Sequence, residues 1–349
     1  MLLLLVSFLW VGCIASSPSE QTDKDAGDAS APDTSKAPLT FKVLTFNIGT
    51  TKGLDHDKGE KDGKGDGYTN KMAQIADELY ENSLSWNPAE KALTAFLAKH
   101  KPDIAGFQEG FYDPWCEHIK VDPALDFVCK GYHKNRPLQI LRILGSDYQV
   151  ACADGQEDNC IGVKKSFGTI VGCDPNKPCI KGLKGKGPTN GCSRGARMAS
   201  AQIRLTSGDV MTVVLIHGTS GVTKKDQACR AEQFKQIFED KGDGKPHASG
   251  KVNLLLGDLN VDPFVMTDDP SALIWNKYVG QGKAYRFISS DAKDGPRTYG
   301  RLFRIDHVAS DKLSGHCVVP GMTKGWPAVL DAVYWDHKPL LCTVRWPSQ

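Results

Sequence analysis

The sequence predicts a mixed α/β domain in which two packed, mixed β-sheets are flanked by helices. Three features carry that expectation. Short β-prone runs, Phe41–Asn47, Val210–His217 and Val252–Leu256, each stop at a polar side chain or a glycine. Stretches of helical period separate them. No segment repeats, so strands and helices must share one layered architecture.

The chain has 349 residues, 40% of them hydrophobic, which is enough for a sizeable core. A formal net charge of +2 favours no partner by itself. Residues 1–15 are almost wholly apolar but too short to span a bilayer, and with the polar stretch from Ser16 onward they read as a signal peptide. Val11-Gly12-Cys13 with Leu9 nearby resembles a bacterial lipoprotein cleavage box, which would leave a lipid on Cys13; an ordinary cleaved signal peptide is the alternative. Residues 16–38 hold almost no large apolar side chain and read as a disordered tether, leaving 39–349 as the folded domain. The expectation is an exported monomer, either a cell-envelope lipoprotein or a secreted protein. The cysteines agree: there are 11, and setting Cys13 aside leaves an even ten, the signature of disulfides. Cys152 with Cys160 and Cys173 with Cys179 are the neighbours most easily closed. No paired C-x-x-C spacing argues for zinc.

In chain order, Phe41–Asn47 reads as a strand ending in an amide. Residues 50–70, dense in Gly, Lys and Asp, read as a mobile surface loop. Met72, Ile75, Ala76 and Leu79, then Ala92, Leu93, Phe96 and Leu97, recur at helical spacing. Pro102–Glu109 reads as a short buried strand ending in a carboxylate, and Leu138–Leu144 as a helix. Phe167–Gly172 and Ala196–Leu205 look like paired strands joined by a long loop. Residues 164–204 hold nine Lys or Arg against one acid, Asp174; this is either a solvated face or a basic lip for an anionic substrate. Val210–His217 is a strongly β-prone run, and Asp226 is placed to cap the helix that follows it. A helix is expected near Ala272 to Tyr278, an apolar strand carrying Asp306 near Tyr299–Val308, and a last strand from Leu340 to Trp346.

The stretch Val252–Asn260 organises the rest. A buried apolar strand ends at Gly257, and Asp258 and Asn260 follow at a spacing of two, which puts them on one face of extended chain. Other strand ends deliver Asn47, Glu109, His217, Asp306, Asp336 and His337. Four carboxylates and two amides are oxygen ligands suited to Mg²⁺, Mn²⁺ or Ca²⁺. If they converge, their repulsion demands a cation. Two histidines add proton transfer near neutral pH. That inventory fits phosphoester hydrolysis, where a metal polarises the phosphoryl oxygen.

Taken together, Thr45-Phe46-Asn47, Gln108-Glu109, His217, Gly257-Asp258-Leu-Asn260, Arg304-Ile-Asp306 and Asp336-His337 resemble, in order, the motifs of the endonuclease/exonuclease/phosphatase superfamily. The resemblance covers about Phe41 to Trp346. It implies a four-layer α/β-sandwich with the site at one edge of two sheets. It implies that Glu109, with Asn47 and Asp336, holds the metal, and that Asp258 holds or deprotonates the attacking water. It further implies that Asn260 orients the phosphate, Asp306 pairs with His337, and His217 stabilises phosphoryl charge or assists the leaving group. The sequence departs from the pattern at Trp335 and His307, and it shows no acidic partner for His217. Nucleic acid is the expected substrate; sphingomyelin or inositol phosphates are alternatives within the same chemistry. A catalytically silent surface binding protein is the alternative of another class. Fold alone does not separate these readings.

Overall fold

The computed structural model describes residues 39–50, 54–57, 67–185, 192, 197–239, 245–292, 294–330 and 333–347. The leader, the Cys13 box and the tether lie outside them. The chain is mixed α/β. Its elements run β1 (Thr40–Asn47), α1 (Asn70–Tyr80), α2 (Asn87–His100), β2 (Ile104–Gln108), α3 (Gln139–Leu144), β3 (Tyr148–Ala153), β4 (Gln156–Lys164), β5 (Gly168–Ile170) and β6 (Cys179–Gly185). They continue as β7 (Met198–Leu205), β8 (Val210–His217), α4 (Lys224–Phe238), β9 (Asn253–Asp258), α5 (Pro270–Tyr278), β10 (Arg286–Phe287), β11 (Asp306–Ser310), β12 (Ser314–Val318) and β13 (Leu340–Arg345).

The strands form a single hydrogen-bonded path, β10-β11-β9-β8-β7-β6-β3-β4-β2-β1-β13-β12, with β5 beside β7. Two separate sheets were expected. They are joined because β6 pairs with both β3 and β7. The two halves of the path still face each other across one core. Val43, Ile104, Ile161 and Val163 from one half cluster with Leu215, Leu254, Leu256 and Val308 from the other. The alternation of side chains along each strand then presents a second apolar face outward. Leu44, Phe46, Ala105 and Phe107 are covered by α1, α2 and α3 through Ala76, Leu93, Leu97 and Ile140. Val214, Ile216 and Leu255 are covered by α4 and α5 through Phe234, Ile237, Ala272 and Trp275.

Several local expectations need correction. The long loop between β5 and β7 contains β6. The 50–70 segment is not wholly a surface loop: Thr50, His56 and Tyr68 are buried, and Tyr68 stacks edge-on against Tyr334. The cap of α4 is Thr223, whose hydroxyl accepts from Asp226 N; Asp226 answers from the third position, a reciprocal capping box. Asp306 opens β11 instead of lying within a longer strand. The basic run is partly neutralised, because Lys181 pairs with Asp154 and Lys177 with Asp174.

All ten cysteines beyond Cys13 are paired: Cys116–Cys129, Cys152–Cys160, Cys173–Cys179, Cys192–Cys229 and Cys317–Cys342. The two pairs judged easiest to close are both closed. Five disulfides are the mark of a chain that matures under oxidising conditions.

Candidate active site

Strand register builds the site. In the β8–β9 pair His217 is opposite Asp258, and in the β9–β11 pair Asp258 is opposite Asp306. Opposed residues point to the same face, so three neighbouring strands set His, Asp and Asp in one row. All three are buried. On the other half, β1 and β2 run parallel with Asn47 opposite Gln108, which brings Glu109 just past the end of β2 to the same edge. Asp336 and His337 arrive from the segment before β13, where His337 bridges to Tyr299.

The backbone at this edge takes conformations that side chains rarely adopt. Gly257 has φ +142°, and a Cβ there would lie 2.0 Å from Ile216 O. Asn260 (φ 51°) and Glu109 (φ 57°) occupy the left-handed region, which costs a non-glycine residue free energy and is most often tolerated by Asn. At Gly49 a Cβ would fall 1.8 Å from Glu109 Oε2, so only glycine lets that carboxylate lie where it does.

Hydrogen bonds fix most of the functional atoms. Asp258 accepts from Asn260 N (2.7 Å), Asn260 Nδ2 (2.9 Å) and, across the two halves, Asn47 Nδ2 (3.2 Å). Asn260 Nδ2 also donates to Gly218 O (3.0 Å). Both amide donors of Asn260 are therefore engaged in holding Asp258 and the β8 turn. His337 Nδ1 donates to Asp306 Oδ2 (2.8 Å), and its Nε2 lies 3.7 Å from Asp258 Oδ2. Asp306 Oδ1 is buried with no hydrogen-bond partner. Asp258, Asp306 and His337 form a buried group whose ligand atoms all lie within 4.8 Å of one another.

The electrostatics follow from this crowding. Burial pushes the Asp258 carboxyl above its ordinary range; His337 opposes that and Asp306 adds to it. Burial likewise pushes Asp336 up to about 7; His337 opposes, while Glu109 and Asp258 add to the rise. For His337 burial favours the neutral ring, but Asp306, Asp258 and Asp336 together outweigh it and hold the imidazolium well above its usual pKa. His217 goes the other way, down to about 4, through burial first and the nearby Arg197 charge second. One histidine is kept charged and the other neutral within one row.

The structure thus brings Asn47, Glu109, His217, Asp258, Asn260, Asp306, Asp336 and His337 to one edge. Three further residues were not anticipated. Asn159 on β4 takes the role for which no acid was found: its Oδ1 meets His217 Nδ1 at 3.1 Å, so that nitrogen carries the hydrogen. The opposite nitrogen, Nε2, is 3.4 Å from Glu109 Oε1. Asp158, also on β4, is buried nearby and interacts electrostatically with His217 and Glu109. Arg197 directly precedes β7 and extends the row, since His217 N donates to Arg197 O (2.9 Å). Its Nη1 reaches Gly218 O at 3.4 Å, and its Nε is buried without a partner. The Asp154-Gly155 pair between β3 and β4, with Gly155 at φ 70°, is a hairpin signal, but the register shifts between the Ala153–Gln156 and Cys152–Cys160 pairs, so Asn159 falls in a bulge that the turn does not foretell. Arg197 had no such signal, being one base among nine.

Solved structures that align with this chain include endonuclease/exonuclease/phosphatase family proteins. A family protein from Bacteroides thetaiotaomicron aligns at 14% identity over 90% of this chain and 100% of its own, with a TM-score of 0.48. The human Nocturnin catalytic domain with bound sulfate aligns at 12% over 88% and 94%, TM-score 0.49. A humanized D. rerio TDP2 aligns at 13% over 87% and 98%, TM-score 0.48. No family model matches the chain, and no curated protein does. At these identities and TM-scores the likeness carries no activity across to this chain.

Proposed function

We propose that this chain is an exported, divalent-metal-dependent phosphoesterase of the endonuclease/exonuclease/phosphatase superfamily that hydrolyses phosphodiesters of nucleic acid. The observation that carries the reading is the buried Asp258–Asp306–His337 group, with its acids pressed together at the end of a core strand. On the same reading the folded strand path corresponds to the two inner layers of a four-layer α/β-sandwich, and α1–α5 to the outer ones. The five disulfides and the apolar leader support export.

The donor set fits a hard cation. Asp306 Oδ1 has no hydrogen-bond partner, and Asp336 is pushed up to about 7 in the company of other carboxylates. Oxygen donors from Glu109, Asn47 and Asp336, with Asp258 and Asp306 behind them, suit Mg²⁺ or Mn²⁺ better than a soft metal. A cation held there would neutralise the carboxylates and supply polarisation of a phosphoryl oxygen. The chain's own residues do the rest. Asp258 takes the proton of the attacking water as the water oxygen bonds to phosphorus and the P–O bond to the leaving oxygen breaks; the leaving oxygen then takes a proton from solvent. His337, held by Asp306 and kept charged, faces the charge that develops on phosphorus-bound oxygen. Asn260 holds Asp258 in place. His217, neutral and hydrogen-bonded through Nδ1, is no proton donor toward the site; Arg197 supplies the permanent positive charge at that end of the row.

Arg197, beside His217 at the end of the row, favours nucleic acid over a lipid head group, since Arg and Lys that neutralise phosphates drive backbone binding. The test is a substrate panel: duplex and single-stranded DNA, RNA, sphingomyelin and inositol phosphates, each with Mg²⁺, with EDTA, and with an Asp258→Ala control. Cleavage of a nucleic acid that requires Mg²⁺ and Asp258 is expected. Turnover of sphingomyelin or an inositol phosphate alone would overturn the substrate, and full turnover in metal-free protein would overturn the mechanism.

A further inference from the structure

We infer that a rim of exposed apolar side chains beside the catalytic edge receives the unstacked bases of a nucleic-acid strand, so that single strands are the substrate in preference to duplexes; the inference rests on the phosphoesterase reading above. Among the described residues the four most exposed large apolar side chains are Val222 (74%), Leu302 (69%), Leu273 (58%) and Val265 (52%), and no other exceeds 42%. Their places in the chain are not scattered. Val222 lies between His217, the last residue of β8, and α4. Val265 lies between Asp258, the last residue of β9, and α5, and Leu273 is in the first turn of that helix. Leu302 lies in the segment that leads to Asp306, the first residue of β11. The connections at all three strand ends of the row thus carry a bare apolar group. One exposed valine or leucine is ordinary, whereas several around one site mark an interaction surface.

Bonds between its parts hold the rim in place. Arg230, buried on α4, donates through Nη1 to Thr219 O (2.6 Å) and Gly221 O (3.1 Å), through Nε to Ser271 Oγ (2.8 Å) and through Nη2 to Asp269 Oδ2 (2.6 Å). It fastens the Val222 connection to the start of α5. Arg304 N donates to Asp262 Oδ2 (2.9 Å), and its guanidinium lies 4.3 Å from the Phe264 ring centre, which fastens the Leu302 segment to the Val265 connection. The Leu302 segment is a tight hairpin: Tyr299 N donates to Phe303 O (3.0 Å), Phe303 N to Tyr299 O (3.3 Å) and Gly300 N to Asp336 O (2.8 Å), so its tip rises from beside His337. Tucking the apolar groups inward would break these bonds.

The occupant follows from what stands between them. Over 218–225, 259–276 and 298–304, three cations, Lys224, Lys225 and Arg301, are exposed against one exposed acid, Asp268. Asp226, next in the chain, is taken up in the cap of α4. Cations interleaved with apolar groups, continuous with the row that the proposed function assigns to the phosphate, suit a polyanion that also offers apolar faces. An unpaired strand does so, because its bases splay away from the backbone. A duplex keeps its bases stacked and must first unstack one to offer the same face.

The test uses one labelled oligonucleotide as a single strand and as its duplex, with binding read by fluorescence anisotropy in EDTA and cleavage read with Mg²⁺. The full chain should bind and cleave the single strand about tenfold better than the duplex, the scale of one lost base contact. Val222→Ser with Leu302→Ser, both exposed positions, should remove that preference through KM, leaving the melting temperature and turnover of a small activated diester unchanged. Equal cleavage of both forms, or an undiminished preference in the double variant, would overturn the inference and leave the nuclease reading standing. A single strand that is bound through the rim but not cleaved would overturn the nuclease reading and leave the rim as its binding surface. Sedimentation with phosphatidylglycerol vesicles that the double variant loses would assign the rim to a bilayer, and a concentration-dependent dimer that it loses would assign it to a second copy; either would overturn the inference.

Discussion

The two halves of the strand path contribute to the candidate active site in different ways. On the β8–β9–β11 side, His217, Asp258 and Asp306 sit inside regular ladders, are buried, and owe their relative positions to backbone register. On the β1–β2 side, Asn47 ends a strand but Glu109 lies beyond one, at a left-handed φ, with 27% of its side chain exposed. The first arrangement is a row fixed by strand register, which the proposed function uses for proton handling. The second is a partly exposed rim, which the same proposal uses for metal and substrate. Asn47, bonded to Asp258 across the gap, ties one to the other.

That contrast can be broken most sharply at the row itself. Asp258→Ala and His337→Ala should each lower the turnover rate by about 10²–10⁴ with the fold intact, the range for lost acid–base assistance. Because the two act together, the double variant should lose far less than the product of the single losses, read from kcat on a small activated diester. A fully active His337→Ala protein would remove the residue from the row's chemistry. Arg197 comes next. Arg197→Met should reduce kcat/KM by about ten- to hundredfold, as expected for losing a charged hydrogen bond, and Arg197→Lys should recover part of it. Unchanged kcat/KM in Arg197→Met would show that the row ends at His217.

Two smaller effects bear on stability. Leu256 packs between the halves, so Leu256→Ala should cost about 2–5 kcal/mol in denaturant unfolding. Activity per folded molecule should hardly change if the row is fixed by register. The last effect is a pH slope. His307, opposite Gly257, is buried and pushed down to about 4, chiefly by burial. Its Nε2 meets Arg304 O (2.9 Å) and its Nδ1 meets Ser289 Oγ (3.1 Å), a pairing that the neutral ring completes with one donor and one acceptor. The unfolded chain takes up that proton near pH 6.5, while the folded chain refuses it until about 4. The stabilisation is therefore complete above about pH 6.5 and is lost as pH falls toward 4. His307→Gln should flatten the fall in melting temperature across that window, though His217 keeps its own share; an unaltered slope would show that His307 does not contribute.

Much of this was legible in the sequence because it depends on local alternation. The runs ending at Asn47, His217 and Asp258 announce strands, and a strand's last residue is at an edge. What could not be read is pairing across long separations. Nothing local says that β6 bonds to both β3 and β7, which turns two expected sheets into one path. The same limit hid Asn159, whose strand begins with the polar run Gln-Glu-Asp-Asn and so lacks an apolar signature. His217 reaches it over 58 residues of sequence. Arg197 was hidden by composition: its neighbours are also basic, and only its place opposite His217 distinguishes it. For Asn260 the residue was evident, but its engagement with Gly218 O depends on a turn that no pattern encodes.

The pairing of the first strand with the last has a consequence for synthesis. β1 lies against β13, Thr40 opposite Arg345, and His337 stands only three residues before β13 begins. A chain that emerges N-terminus first can fold α1–α3 over β1–β4 early, yet β1 keeps an open edge until β13 arrives. The His337–Asp306 contact waits for the same moment. Closing such distant contacts is slow, and an unpaired edge invites wrong partners meanwhile. The catalytic edge is thus assembled late: a partly emerged chain carries Asp258 and His217 but cannot hold a charged imidazole beside them. On the proposed function, activity would wait for the completion of the fold.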